Sequence, residues 1–236
     1  AFSLGRQGQP TRLWIRSLDA VEALPVKGTE GANYPIWSPD GGAIAFFGGN
    51  KLKKIDLATG TITALCDVSY PAGVTWNRNG VILFSTVDES PGALYRVSES
   101  GGDATPVLQD LKAGKSWPVF LPDGRHFLFV YRDYINGTRS GIYAGSLGST
   151  EIKYVTASES GAVYAAPGYL VYIRDNKLLA QKFDDRSLSV TGDRFLLSDT
   201  APAVPRDLTF GWAALYSVSE NGLLAFRTTH VNISEL

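Results

Sequence analysis

Short apolar runs rich in β-branched and aromatic residues alternate with turn sequences along the whole chain. The clearest example is Trp37-Ser38-Pro39-Asp40-Gly41, which precedes the apolar run Ala43-Ile44-Ala45-Phe46-Phe47. Proline presets φ for a turn, aspartate accepts hydrogen bonds from backbone NH groups ahead of it, and glycine adopts positive φ. A turn of this kind between two apolar runs predicts a β-hairpin.

The same hairpin recurs at intervals of roughly 40–50 residues, the range typical of β-propeller blades. Each copy places a turn glycine just before an apolar run, and the first four copies have an aromatic residue four positions before that glycine. The turn glycines are Gly41, Gly80, Gly124, Gly168 and Gly222.

Two further apolar segments follow each of the first four hairpins, so that a complete period contains four short strands. In the first complete period these are Leu52-Lys53-Lys54-Ile55-Asp56-Leu57 and Thr63-Ala64-Leu65-Cys66, with the turn Ala58-Thr59-Gly60 between them. Four short strands separated by turns are what a propeller blade requires. The sequence therefore predicts an all-β fold, a β-propeller of four-stranded antiparallel blades.

We expect residues 1–236 to form a single propeller domain with about five blade-equivalents, in a five- or six-bladed ring. The predicted complete blades are residues 33–69, 72–111, 115–158 and 161–199. Partial blades at 1–30 and 212–229 flank them, the first without its opening strand and the last with only its first two strands. The two halves could combine into one mixed blade, or the native protein continues beyond Leu236; we favour the second, because Ala1-Phe2 would duplicate Ala225-Phe226.

Composition narrows the class of partner. The formal net charge is −1 and the basic residues are spread along the chain, which disfavours nucleic-acid binding. No apolar run approaches the ~20 residues that a membrane-spanning helix needs, so we expect no membrane insertion by this segment. Cys66 is the only cysteine and lies in an apolar run, which predicts a small buried hydrophobic residue.

Sequence motifs for catalysis are missing. The chain has no His-Arg-Asp, Asp-Phe-Gly or Gly-x-Ser-x-Gly motif, and the sites of its two histidines, His126 and His230, do not suggest a catalytic triad. Asp40 and Asp123 are best interpreted as turn residues. We therefore predict that the chain is not an enzyme and holds no cofactor or metal. Two alternatives stay open: a propeller hydrolase with an axial metal, and the gating propeller of a serine peptidase.

The repeat resembles a known family. The segments Trp37-Ser38-Pro39-Asp40-Gly41 and Ile44-Ala45-Phe46 are similar to the WD40-like repeat of TolB-like propellers. Together with Leu13-Trp14-Ile15-Arg16-Ser17-Leu18-Asp19 and Phe120-Leu121-Pro122-Asp123-Gly124-Arg125-His126-Phe127-Leu128, they resemble the propeller region of bacterial, especially acidobacterial, serine/threonine protein kinases. The resemblance implies a sensor or scaffold on the periplasmic or extracellular side of a bacterial membrane, in a kinase or a TolB-like periplasmic protein.

The loops at one face of a propeller are its default binding surface, because loops on a rigid scaffold carry function. We expect this face to bind a protein or peptide partner or a small envelope ligand, through residues rich in Tyr and Arg. An alternative is that Tyr34, Trp117 and Phe210 only pack where the first strands converge. The candidate binding residues are Asn33, Tyr34, Tyr70, Lys115, Trp117, Arg132, Tyr134, Arg139, Arg206 and Asp207.

Overall fold

The computed structural model describes residues 1–5, 9–87, 92–109, 114–132, 140–200, 216–219 and 222–226. Throughout these ranges the regular secondary structure is β-strand, in six antiparallel sheets. This confirms the predicted all-β fold of four-stranded blades. Among the described residues no helix is long and apolar enough to cross a bilayer.

The sheets follow one another in chain order and are numbered I to VI here. Sheet I contains β1 (Phe2–Leu4), β2 (Arg12–Ile15) and β3 (Leu24–Pro25). Sheet II contains β4 (Asn33–Trp37), β5 (Ala43–Phe47), β6 (Lys51–Asp56) and β7 (Ile62–Asp67). Sheet III contains β8 (Pro71–Trp76), β9 (Val81–Thr86), β10 (Ala93–Ser98) and β11 (Thr105–Val107).

The remaining sheets continue the pattern. Sheet IV contains β12 (Gly114–Phe120), β13 (His126–Arg132), β14 (Gly141–Ser146) and β15 (Ile152–Thr156). Sheet V contains β16 (Val163–Ala165), β17 (Tyr169–Arg174), β18 (Lys177–Asp184) and β19 (Ser189–Ser198). Sheet VI contains β20 (Tyr216–Val218) and β21 (Leu224–Phe226). In every complete sheet, strands adjacent in the chain are neighbours in the sheet.

The turn of the first hairpin shows how the sequence sets these meanders. The Asp40 carboxylate accepts hydrogen bonds from the Ser38 hydroxyl at 2.6 Å and from the Gly42 backbone N–H at 3.0 Å. Gly41 has a φ of 74°, the left-handed conformation that glycine adopts at low cost. Asp123 has the same role in sheet IV, because its carboxylate accepts from the backbone N–H of Arg125 and of His126.

The core lies between the sheets. Each sheet packs its face on the next one, and each buried cluster combines side chains from two consecutive sheets. One cluster joins Phe47 of sheet II to Phe84 of sheet III, and another joins Val155 of sheet IV to Tyr172 of sheet V. The first strands of neighbouring sheets lie side by side, as β4, β8 and β12 do. This radial stacking brings the starts of the first strands together.

Candidate functional site

A β-bulge interrupts the first strand of sheets II, III and IV near its start. The bulges lie between Asn33 and Ile36, between Pro71 and Val74, and between Ser116 and Val119. A bulge adds one residue to a strand and re-aims the side chains beside it. Bulges in three neighbouring blades therefore change the direction of side chains at one place on the propeller.

One residue in each bulge has a left-handed backbone conformation. In all three strands this residue stands three positions before the aromatic residue that ends the strand. These residues are Tyr34, Gly73 and Trp117, with φ angles of 50°, 101° and 54°. Glycine adopts positive φ freely, whereas a bulky residue there is a genuine outlier. Tyr34 and Trp117 also precede prolines, which restrict the preceding residue further.

The middle glycine lets the two aromatic side chains meet. A Cβ atom on Gly73 would lie 2.8 Å from the Cε3 atom of Trp117, so the indole is seated directly on the glycine. The indole meets the Tyr34 ring edge to face, with centroids 5.5 Å apart. Tyr34 also contacts Phe47 edge to face at 6.3 Å, and burial raises the pKa of the Tyr34 phenol.

Backbone strain of this kind has a functional meaning. A residue held in a sparsely populated region costs about 1–3 kcal/mol and persists only where the surroundings impose it. Gly73 shows that the fold accepts the unstrained residue at this position, yet sheets II and IV carry Tyr34 and Trp117 there. Because strained residues cluster at active sites and ligand clamps, this aromatic pair is the strongest candidate for function among the described residues.

A buried polar seam holds sheet III against the first strand of sheet IV. The hydroxyl of Ser85 donates to the carbonyl of Ala72 in its own sheet and accepts from the backbone N–H of Trp117 at 3.3 Å. Two further side chains of sheet III reach the same neighbour. The Thr75 hydroxyl accepts from the backbone N–H of Phe120 at 3.1 Å, and the Asn77 amide donates to the carbonyl of Gly124 at 2.6 Å.

The other candidate residues lie at or near strand ends or outside the described ranges. Asn33 begins β4 and is exposed, Tyr70 lies just before β8 with 64% of its surface exposed, and Arg132 ends β13. Lys115 is only 3% exposed on β12, and burial lowers the pKa of its ammonium group. The candidates that lie outside the described residues are Tyr134, Arg139, Arg206 and Asp207.

The prediction that these side chains come from loops needs correction. Tyr34 lies within β4, and Lys115 and Trp117 lie within β12; of the described candidates, only Tyr70 lies in a loop. The reason is that β4 and β12 begin before their bulges, at Asn33 and Gly114. Tyr34, Lys115 and Trp117 therefore belong to the sheets and not to the loops that precede them. Tyr34 and Trp117 do pack against each other, with ring centroids 5.5 Å apart, while Phe210 lies outside the described residues.

Sequence reasoning missed Gly73 and Ser85, the small residues that make the aromatic contact possible. Their signal was present in the register: Gly73 stands three residues before Trp76, as Tyr34 stands before Trp37 and Trp117 before Phe120. Aligning the first strands by their terminal aromatic residue would have revealed one small residue between two large ones.

Among the described residues, acidic side chains form no metal-binding group near this aromatic pair. In the part of the chain that the structure describes, no group of three or more His, Cys, Asp or Glu side chains could hold a metal ion. Asp40, Asp56 and Asp184 instead bond to the backbone of their own turns. The side chains of Tyr34 and Trp117 near the starts of their strands are half-buried.

The fold is shared with several solved structures. TolB from Acinetobacter baumannii has a TM-score of 0.72 and 20% sequence identity, over 96% of this chain and 56% of the TolB chain. A chain of a nidogen/laminin complex has a TM-score of 0.62 and 12% sequence identity, over 89% of this chain and 80% of that chain. A gluconolactonase from Xanthomonas campestris has a TM-score of 0.58 and 15% sequence identity, over 82% of this chain and 68% of the gluconolactonase chain. No family model and no curated protein matches the sequence.

These likenesses show a TolB-like β-propeller fold. The chain spans little more than half of the TolB chain, 56% of its length. They also correct the prediction that the chain is not an enzyme. Propellers of similar fold include a gluconolactonase and a luciferin-regenerating enzyme, so the absence of kinase and nucleophile-elbow motifs does not exclude catalysis. That prediction was wrong because it tested for the motifs of other folds.

Proposed function

We propose that this propeller is a binding module and that the aromatic pair Tyr34–Trp117 is the centre of its recognition surface for a protein or peptide. The observation that carries the proposal is the pair of bulky residues held in left-handed conformation at equivalent positions of two blades. Tyr and Trp supply large, rigid contact area and are enriched at binding hot spots. The exposed Tyr70 and Asn33 extend this surface around the pair.

The acidic side chains in the loops before two first strands favour a partner that is recognised mainly through apolar and aromatic contacts. In the loops that precede first strands, Glu30 pairs with Arg12 at 2.8 Å, and the Glu159 carboxylate accepts from the backbone N–H of Asp175 at 2.8 Å. A surface with an aromatic centre suits a peptide with exposed apolar side chains.

The wider context belongs to the same proposal. The sequence resemblance to the propellers of bacterial serine/threonine kinases and the TolB-like fold support a sensor or scaffold on the periplasmic or extracellular side of a bacterial membrane. In that setting the recognition surface would receive an envelope protein, a peptide or a small envelope ligand. The sequence encoded upstream of Ala1 tests this: a kinase domain followed by an apolar span supports the kinase context, and a different upstream domain contradicts it.

The binding proposal can be tested without knowing the natural partner. A phage-displayed library of random peptides is selected on the immobilised chain, and the affinity of the selected peptides is measured on Trp117→Ala and on Trp37→Ala. Trp37 is a matched control because it is a tryptophan with 40% of its surface exposed at the far end of β4, three residues beyond Tyr34 and next to the hairpin turn of sheet II. Thermal unfolding confirms that both variants are folded.

We expect Trp117→Ala to weaken peptide binding at least tenfold, the loss typical of a hot-spot tryptophan, and Trp37→Ala to leave it unchanged. Peptides that bind both variants equally well would contradict the proposal. Gluconolactone is offered to the wild type in parallel. Turnover that disappears in Trp117→Ala would make this surface an active site instead of a recognition surface.

A further inference from the structure

Sheet III differs from its two neighbours at a pair of positions. Where sheets II and IV place the bulky residues Tyr34 and Trp117 in the bulge, sheet III has Gly73. On its second strand, Ser85 lies between Phe84 and Thr86, opposite that bulge. The corresponding positions opposite Asn33 and Ser116 hold the apolar side chains Phe47 and Val130. Sheet III thus has a small residue and a hydroxyl where the other two sheets have apolar bulk.

The Ser85 hydroxyl is in a position to act on two sheets at once. It donates to the Ala72 carbonyl, one residue before Gly73, and accepts from the backbone N–H of Trp117. The Ser85 side chain is completely buried, at 0% exposure. A buried hydroxyl that both donates and accepts fixes its partners closely, because losing either bond leaves a polar group unpaired.

These contacts connect Ser85 to the conformation of Trp117. The hydrogen bond reaches the backbone of the residue whose left-handed φ of 54° directs the indole toward Tyr34. The neighbouring Gly73 supplies the surface on which the indole is seated. Ser85 therefore restrains the strained backbone from one side while Gly73 leaves room for the ring on the other.

We infer that Ser85 is a positioning residue for ligand recognition, which holds Trp117 in its left-handed conformation through a hydrogen bond between two blades. The inference rests on the proposed function of the Tyr34–Trp117 surface. Ser85 itself does not contact the ligand; it sets the geometry of the residue that does. A replacement that keeps the hydroxyl preserves recognition, and one that removes the hydroxyl lowers it.

The test uses Ser85→Ala, Ser85→Cys and Ser85→Thr, with Thr75→Val as the matched control. Thr75 accepts the same kind of inter-sheet bond, from the backbone N–H of Phe120 at 3.1 Å, but its bond lies away from the aromatic pair. The probes are the phage-selected peptides and the ¹⁹F resonance of Trp117 in 5-fluorotryptophan-labelled protein. The Trp117→Phe variant assigns that resonance.

We expect Ser85→Ala and Ser85→Cys to weaken peptide binding roughly fivefold, the factor that loss of one buried hydrogen bond gives, and to shift the Trp117 resonance. Ser85→Thr restores both, while Thr75→Val lowers stability without moving either readout. Equal effects of Ser85→Ala and Thr75→Val on binding and on the resonance would overturn the inference and leave a purely structural seam.

The two proposals fail in different ways. If Trp117→Ala leaves peptide binding unchanged, the recognition surface itself is wrong. If Trp117→Ala abolishes binding while Ser85→Ala changes neither affinity nor the ¹⁹F shift, only the positioning role of Ser85 is wrong. If Ser85→Ala does not fold, Ser85→Cys compared with the wild type decides, since a thiol is close in size to the hydroxyl and is a weaker donor and acceptor.

Discussion

The indole of Trp117 meets the phenol ring of Tyr34 edge to face at 5.5 Å, although a whole four-stranded sheet separates them in the sequence. Sheet III lies between the two sheets, and the rings can meet because sheet III has Gly73, which has no side chain, where the indole packs. Edge-to-face pairs contribute about 0.5–1.5 kcal/mol beyond the burial of their area. The pair therefore links sheets II and IV directly and offsets part of the strain in their bulges.

Gly73→Ala should be strongly destabilising. The added Cβ would lie 2.8 Å from Trp117 Cε3 and 3.0 Å from Trp117 Cα, and the residue would have to keep a φ of 101°. We expect the free energy of unfolding, measured by urea denaturation, to fall by about 2–4 kcal/mol from overpacking and left-handed strain together. Gly60→Ala is the control, because Gly60 has a φ of 72° with nothing within 4 Å of its added Cβ. A loss no larger than that of Gly60→Ala would refute the close contact.

Tyr216→Phe should loosen sheet VI from sheet V. The Tyr216 hydroxyl donates to the Gly161 carbonyl at 2.5 Å and bonds to the Ser160 hydroxyl at 2.8 Å, all within the buried interior. Removing it deletes two buried hydrogen bonds, so the free energy of unfolding should fall by about 1–3 kcal/mol. Tyr169→Phe, at a ring that packs on Phe195 at 6.3 Å, is the control and should be close to neutral in the same urea titration.

Alkaline pH should destabilise the protein partly through the same phenol. Burial raises the pKa of Tyr216 above its ordinary value of 10.0. The unfolded chain then loses this proton at lower pH than the folded one, so the stabilisation is complete below about pH 10 and is lost as pH rises toward the folded pKa. Urea midpoints from pH 9 to 11 should fall less steeply in Tyr216→Phe than in the wild type. Parallel curves would show that another group accounts for the slope.

Cys66 should react slowly with alkylating reagents. The thiol is half-buried in a groove of about 420 Å³ whose lining also includes Lys51 and Asp103, which corrects the prediction of full burial. Burial, with a smaller contribution from Asp67, raises the pKa of the Cys66 thiol from 9.0 to about 11. Because only the thiolate reacts, alkylation by iodoacetamide at pH 8 should be roughly hundredfold slower than in the urea-unfolded chain. Mass spectrometry reports on this site alone, since the chain has 1 Cys. Comparable alkylation rates in the folded and unfolded states would contradict the raised pKa.

Acid should weaken the hairpin turn of sheet II. Hydrogen bonds from the Ser38 hydroxyl and then from the Gly42 N–H hold the pKa of Asp40 below its ordinary value of 3.8. The stabilisation from this carboxylate is therefore present above about pH 4 and is lost as pH falls through the folded pKa. Asp40→Asn should lower the urea midpoint slightly at pH 7 and reduce its fall between pH 5 and 2. An unchanged acid slope would count against the role of Asp40.

The sequence by itself determined the repeating unit. Turn residues such as Asp40, Gly41 and Asp123 bond within a few positions of themselves, so their conformation follows from local chemistry and can be read from the chain. The alternation of apolar runs and turns then fixed an all-β fold of four-stranded sheets. In the described part of the chain, sheet I has three strands and sheet VI has two.

Only the tertiary structure decided how the sheets meet. The sequence predicts Tyr34 and Trp117 as candidates from their place in loops at one face. Their contact, however, depends on Gly73 and Ser85 of another blade, the second through its hydrogen bond from the Trp117 backbone. The half-burial of Cys66 depends in the same way on residues 102–104 of sheet III, next to its outer strand. Such features arise between side chains distant in sequence, whose distances are set by the packing of whole sheets and leave no local pattern in the chain.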